Sequence, residues 1–353
     1  MTTRIYVGAA AAAAEGQGQN GGGLYRRLAP EARWERLAGG LPATAGVRAL
    51  AIHPRDSRVV YAGTDQGGYR STDGGDSWRP LPLPDPGLEV WSFLFHPRTP
   101  EVMYAGTSPA AVYRSADGGA SWTRCRGFHA PGRVTMSFPC RVLRMAADPS
   151  APDELYAGIE VDGVLRSLDG GESWDDMGHD LVKLAERPHL KSRIVSDTEI
   201  EGMMDCHALC VSSRLPGTVF IAVRMGLFRS VDRGASWEDM EVGRFSPLTY
   251  ARDIHVSPHD PSTLVAALSP AARSTDGSIY RSDDLGQTWR RLDHGVQARA
   301  TLMSVALHPT DPDQVYGATR CGQVFGTTDG GRTWREDLLP GGPQDVYAVA
   351  CAS

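Results

Sequence analysis

Three observations predict an all-β protein built as a single seven-bladed β-propeller. An octet of the form Ser/Thr-x-Asp-x-Gly-x-Ser/Thr-Trp occurs six times: STDGGDSW (71–78), SADGGASW (115–122), SLDGGESW (167–174), SVDRGASW (230–237), SDDLGQTW (282–289) and TTDGGRTW (327–334). Its tryptophans, at 78, 122, 174, 237, 289 and 334, lie 44 to 63 residues apart, a period that belongs to a propeller, solenoid or array. The two chain ends carry one further, divided unit that would close a ring.

Within each period the elements follow in one order. VRALAIHPRDSRVVYAGTDQGGYRSTDGGDSW, VWSFLFHPRTPEVMYAGTSPAAVYRSADGGASW and LMSVALHPTDPDQVYGATRCGQVFGTTDGGRTW align throughout. Each gives an apolar run, a His-Pro turn, a second run, a short loop and a third run into the octet. Short β-rich runs between turn signals are strands, and three or four per period make one blade. A fourth, outermost strand begins at the tryptophan.

The ends complete the count. RIYVGA (4–9) matches the second strand of a blade, and GGGLYRRLAPEARW (21–34) resembles a third strand with a degenerate octet. VYAVACAS at the C-terminus fits the missing first strand. One domain over 1–353 is therefore expected, with blade 1 shared between 4–40 and 345–353; closure removes sheet edges open to aggregation. Arg4 before a short apolar run gives the start some signal-peptide character. Cleavage, however, would delete the strand beside which the C-terminus pairs. The alanine run is instead expected to be a long loop of blade 1, and the chain to be cytoplasmic.

Composition narrows the function classes. The 353 residues are 41% hydrophobic and 22% charged, as in an ordinary globular chain, and the 40 glycines and 24 prolines are spread as turn signals. A net charge of −6 gives no nucleic-acid footprint. No apolar run approaches the roughly 18–20 residues of a membrane span, so neither nucleic acid nor membrane is expected as a partner. Six cysteines (125, 140, 206, 210, 321, 351) without paired spacing fit free thiols in a reducing compartment. There is no CxxC and no His pair at zinc spacing; no metal or cofactor is expected.

The octet resembles the Asp-box, or BNR repeat, found in sialidases, xyloglucan-active glycosidases, sortilin-type receptors and the photosystem II assembly factor. That resemblance places the box in the turn between third and outermost strands, on the face away from the binding site. The chemistry agrees: hydroxyl and Asp can bond turn amides, Gly permits positive φ, and Trp buries apolar surface. Asp73, Asp117, Asp169, Asp232, Asp284 and Asp329 are therefore expected to be structural. A calcium loop would need a ligand at about every second position and a distant Glu. His53, His96 and His308 recur in the first turn and are expected to be structural too.

If those turns form the bottom, the opposite strand ends form the top, around a central channel. One column of the first strand is apolar throughout (Leu50, Phe93, Met145, Leu209, Ile254, Val305, Val349) and should be core. Two residues earlier the column varies: Arg48, Trp91, Leu143, His207, Arg252, Met303, Tyr347. Columns nearer the rim hold Arg141, Asp205 and Tyr250, and, at the end of the second strand, Glu160, Arg224 and Arg320. Two long connections, 123–140 and 175–204, crowd the top between blades 4 and 5; the second should carry a short helix around 181–187, ended by Pro188. Long loops in a compact fold are usually lids or binding elements.

The candidate pocket joins Arg48, Arg141, Arg144, Arg224, Arg252 and Arg320, which could hold a carboxylate, sulfate or phosphate bidentately. Trp91 or Tyr347 would stack on a ligand ring. Glu160, Asp205, His207 and Asp253 would move protons. The alternative is that arginines and acids pair and fill the channel mouth. The favoured function is a hydrolase- or lyase-like enzyme acting on an anionic or polyhydroxylated small molecule or glycan. The resemblance does not imply a typical sialidase, which has six blades and an Arg-Ile-Pro motif where this chain has RIYVG. Xyloglucan-active enzymes use two propellers facing across a cleft; one is present here. The competing reading is a non-catalytic scaffold resembling the photosystem II assembly factor, with arginines turned toward a protein partner. A receptor-like reading lacks the disulfides of sortilin-type domains.

Overall fold

The computed structural model describes residues 2–10, 22–29, 33–193 and 196–353; most of the alanine-bearing loop of blade 1 lies outside them. The described residues form seven four-stranded antiparallel sheets. The innermost strands are Val47–Ile52, Glu89–Phe95, Val142–Ala147, Cys206–Ser212, Tyr250–Val256, Leu302–Leu307 and Val346–Ala352. Each packs on the next and the seventh on the first, so the ring closes. In blade 1 the order is Val346–Ala352, Thr3–Ala9, Gly23–Ala29, Glu35–Leu37. The C-terminal strand is thus the inner strand of the N-terminal blade.

The octets are hydrogen-bonded turns. In the first, Ser71 Oγ accepts from the Gly75 amide (2.8 Å) and donates to Asp73 Oδ1 (2.7 Å). Asp73 also accepts from the Ser77 amide (2.9 Å) and hydroxyl. Asp117, Asp169, Asp232, Asp284 and Asp329 repeat the pattern. The residue after Asp sits at positive φ, 76° at Gly74, and the two non-glycine replacements hold it too, Arg233 at 60° and Leu285 at 57°. Those two positions store strain that glycine avoids.

The boxes also staple neighbouring blades. Tyr6, Tyr61 and Tyr104 of one blade donate to the Gly74, Gly118 and Gly170 carbonyls of the next, at 2.8, 2.8 and 2.9 Å. Where Arg233 replaces glycine, Tyr156 instead donates to Glu154, whose other oxygen accepts from Arg233 Nε (3.0 Å). Trp78 packs with Tyr6, Leu24 and Leu37 of blade 1, so box tryptophans bury apolar surface between blades.

Hydroxyl and amide donors hold the carboxyls of Asp117, Asp169 and Asp329 down at about 2, led by the side chains of Ser121, Ser173 and Thr333. A depressed acid stabilises the fold fully above its ordinary value of 3.8 and loses that contribution as pH falls through about 2. Acid unfolding followed by tryptophan fluorescence is expected to steepen over that range. Joint Asp→Asn replacement at these three positions should flatten it.

Candidate functional site

In all seven blades the pairing of innermost and second strands shifts register at one column. The unopposed residues are Arg48, Trp91, Leu143, His207, Arg252, Met303 and Tyr347, the variable column of the sequence. A bulge adds one residue without a partner and re-aims its side chain. Here all seven line one chamber of about 70 Å³ in the channel.

Above this chamber the aromatic and basic side chains interlock. Arg48 lies over the rings of Trp91 (4.8 Å) and Tyr347 (5.1 Å), and Arg141 over Trp91 (4.5 Å) and Phe138 (4.6 Å). Trp91 is buried, donates Nε1 to Glu89 (2.9 Å) and meets Tyr347 edge-on. It supports two cations and offers no open face for the stacking role expected of it.

The arginines are mostly engaged. Arg141 pairs with Glu160 at 2.9 Å, Arg144 with Asp253 at 2.8 Å, Arg320 with Asp345 at 2.5 Å, and Arg48 loosely with Asp65 at 4.0 Å. Arg224 pairs with Asp205. Arg252 alone of the six makes no ion pair among the described residues. The Arg141–Glu160 and Asp205–Arg224 pairs occupy the same cross-strand position in adjacent blades with the charges exchanged. Arg320 and Arg224 also line separate grooves, the first with Arg273 and Asp345, the second with His189 and Glu241. The expectation that all six arginines converge on one cavity is therefore corrected: Arg48, Arg144 and Arg252 line it, and Arg141 caps its wall.

The acids fall into two groups. Asp253 is sealed in the channel: it accepts from Arg144, Ser304 Oγ (3.0 Å) and the Val305 amide (3.0 Å), and it faces His255 at 3.0 Å. Burial opposes its charge, yet Arg144 and then His255 hold its carboxyl well below the usual range. With both oxygens occupied it suits an anchor rather than the proton-transfer role expected from sequence.

Glu160 and Asp205 form the second group. Asp205 Oδ2 accepts from Arg224 Nε and faces His207 Nε2 at 3.1 Å, while Oδ1 is buried without a partner. Burial opposes its ionisation, but His207 and Arg224 hold the carboxyl well below its usual range. Glu160 differs: burial, then the neighbouring Asp205 charge, raise it to about 7, which Arg141, Arg252 and Arg224 only partly offset. Its Oε2 is unpartnered. His207 Nδ1 lies 2.7 Å from the Ala251 carbonyl, which can only accept, so Nδ1 carries a proton. Tyr250 Oη stands 3.4 Å from Nε2. The sequence places Tyr250 in the rim column without a role and gives no sign of Ser304.

The 175–204 connection positions this group. It forms a helix His179–Leu184, a turn Pro188–Leu190 and a helix Glu201–Met204. The first helix starts ahead of the expected 181–187, and Pro188 opens the next turn rather than only ending the helix. Leu181, Leu184, Leu190, Met203 and Met204 pack around Phe228 and Trp237. Trp237 donates its amide to Asp180 (2.8 Å) and its indole to the Met177 carbonyl (3.0 Å). Asp205 follows directly on the last helical residue, so this packing fixes where it stands.

A seven-bladed propeller with a charged chamber at one end of its channel is the class that fold and site define. No protein-family model matches the chain. It is 23% identical over 335 residues to a xyloglucanase of Hypocrea jecorina (strain QM6a), covering 82% of this chain and 38% of that protein. A xyloglucanase of Paenibacillus sp is 24% identical over 261 residues, 62% of this chain and 23% of that one. The chain thus spans well under half the length of these relatives. Among solved structures it superposes on the GH74 xyloglucanase of Xanthomonas campestris with a TM-score of 0.64 at 19% identity, covering 88% of this chain and 47% of that one. YCF48 from Cyanidioschyzon merolae gives 0.59 at 17% identity, covering 87% and 90%. At these identities the structural likeness is one of fold.

Proposed function

We infer that the chain is a glycan-acting hydrolase of the acid–base type, with Glu160 as its proton donor. The observation that carries this is the divergence of two neighbouring carboxyls, Glu160 raised to about 7 and Asp205 held ionised. Environments that push paired acids apart assign the acid and the charge-stabilising carboxylate. The xyloglucanase relatives supply the substrate class. The chamber is too small for a sugar ring, so the ring sits above it against Arg252 and Tyr347. Glu160 passes its proton to the glycosidic oxygen as the C–O bond breaks. Water adds to the sugar carbon, and its surplus proton restores Glu160. Asp205 is a positioning residue: its charge keeps the proton on Glu160 and opposes the positive charge that develops on the ring. The Asp-box assignment and a cytoplasmic location belong to the same reading, supported by the shared box bonding and by six free cysteines.

Sugar release from xyloglucan oligosaccharides and acidic glycans tests it. Glu160→Gln should lower kcat by about 10²–10⁴-fold while oligosaccharide affinity persists. Wild-type activity should fall above about pH 7, where Glu160 loses its proton. Full activity in Glu160→Gln, or no turnover by the wild type on any of these glycans, overturns the reading. The ion-paired arginines and the near-complete overlap with YCF48, which has also been solved bound to D1 peptide, favour a second one, a non-catalytic peptide-binding propeller. Peptide binding without glycan turnover would select it.

A further inference from the structure

We propose that the opposite end of the channel is a separate binding site for a small carboxylate with an apolar body, such as an aryl acid. A chamber of about 580 Å³ opens there, within the range of roughly 300–1,000 Å³ typical of small-molecule sites. It is bounded by the first turns of blades 2, 6 and 7, two of them His-Pro and one Ser-Pro, which the upper site leaves unused. Pro54, Pro258 and Pro309 line it; proline fixes φ and presents no amide, so this wall is rigid and apolar. Ile52, Leu307 and Ala350 continue it inward.

The Arg and His side chains of the lining stand beside the hydroxyls of Ser57 and Thr310, and Arg55 also faces Glu101 at 3.9 Å. His53, Arg55, Arg144 and His255 face the chamber, and among the described residues no Asp or Glu side chain lines it. Ser353 borders it, its hydroxyl 3.0 Å from His308 Nε2. Arg144 and His255 line both chambers and meet at buried Asp253. Together they form a septum whose negative charge is enclosed while a third of the Arg144 side chain stays exposed. Apolar walls beside exposed guanidinium and imidazole edges match an anion with a hydrophobic body. Pre-formed walls spare the ordering cost of binding.

The proposal is independent of the upper site, and the test keeps the two apart. Benzoate, benzamide and acetate are titrated into the full chain by calorimetry. Benzoate is expected to bind at least about tenfold more tightly than either of the others, since benzamide lacks the charge and acetate the apolar body. Leu307→Trp and Ala350→Phe, each filling the chamber from a different strand, should abolish binding, and Glu160→Gln should leave it unchanged. Equal affinity for benzamide, survival of binding in both filled variants that fold, loss of binding in Glu160→Gln, or no benzoate binding at millimolar concentration each overturns it.

Discussion

Replacing Asp253 with alanine is expected to destabilise the fold by about 3–5 kcal/mol, the usual cost of removing one partner from a buried ion pair. The carboxylate is fully buried, and its neighbours come from three blades: Arg144 from blade 4, His255 from its own blade 6, and Ser304 and the Val305 amide from blade 7. Alanine leaves Arg144 facing the septum without its counter-charge and strips an acceptor from a hydroxyl and an amide that have little access to water. Asp253→Asn keeps the volume and part of the bonding, and should cost less than alanine. Urea unfolding at neutral pH measures both. Equal costs for Asn and Ala would show that the charge on Asp253 carries the whole effect, and no cost for Asn would show that only its shape matters.

The repeat made the architecture readable because each octet must satisfy the same turn with the same groups. The channel-facing column was readable for a related reason: it varies where the adjoining Leu50–Val349 column does not. What the letters hid was why that column faces inward. A bulge is a matter of hydrogen-bond register, and Arg48 and His207 look no different in sequence from residues in a regular strand. Arg224 and Arg320 were grouped with Glu160 because they share its repeat position at the end of the second strand. That strand lies one step out from the channel, so long side chains there can turn into grooves between blades. The sequence also carries a signal against convergence. Arg141 and Glu160, like Asp205 and Arg224, are 19 residues apart, which makes them cross-strand neighbours and predicts pairing over convergence on a ligand. The septum was not legible, since Arg144, Asp253 and Ser304 are brought together only by ring closure.

Trp237→Ala should also cost about 3–5 kcal/mol, the range for emptying a buried aromatic site, and its effect should reach the candidate site. Trp237 differs from four of the other five octet tryptophans, and the indole N–H of the fifth, Trp289, is buried without a partner. Trp78, Trp122, Trp174 and Trp334 donate their indoles to a glycine of their own box, whereas Trp237 donates to Met177 and takes its amide to Asp180. It thus anchors the start of the 175–204 cover, whose last helix delivers Asp205. Hydrogen exchange should quicken over 179–190 in Trp237→Ala, while Trp78→Ala, of similar cost, leaves that segment protected. Because Glu160 owes part of its raised pKa to Asp205, the alkaline limb of activity should move downward in pH as the Asp205 charge becomes less fixed. If exchange over 179–190 is the same in both variants, Trp237 contributes packing alone and the cover is held by its own apolar residues.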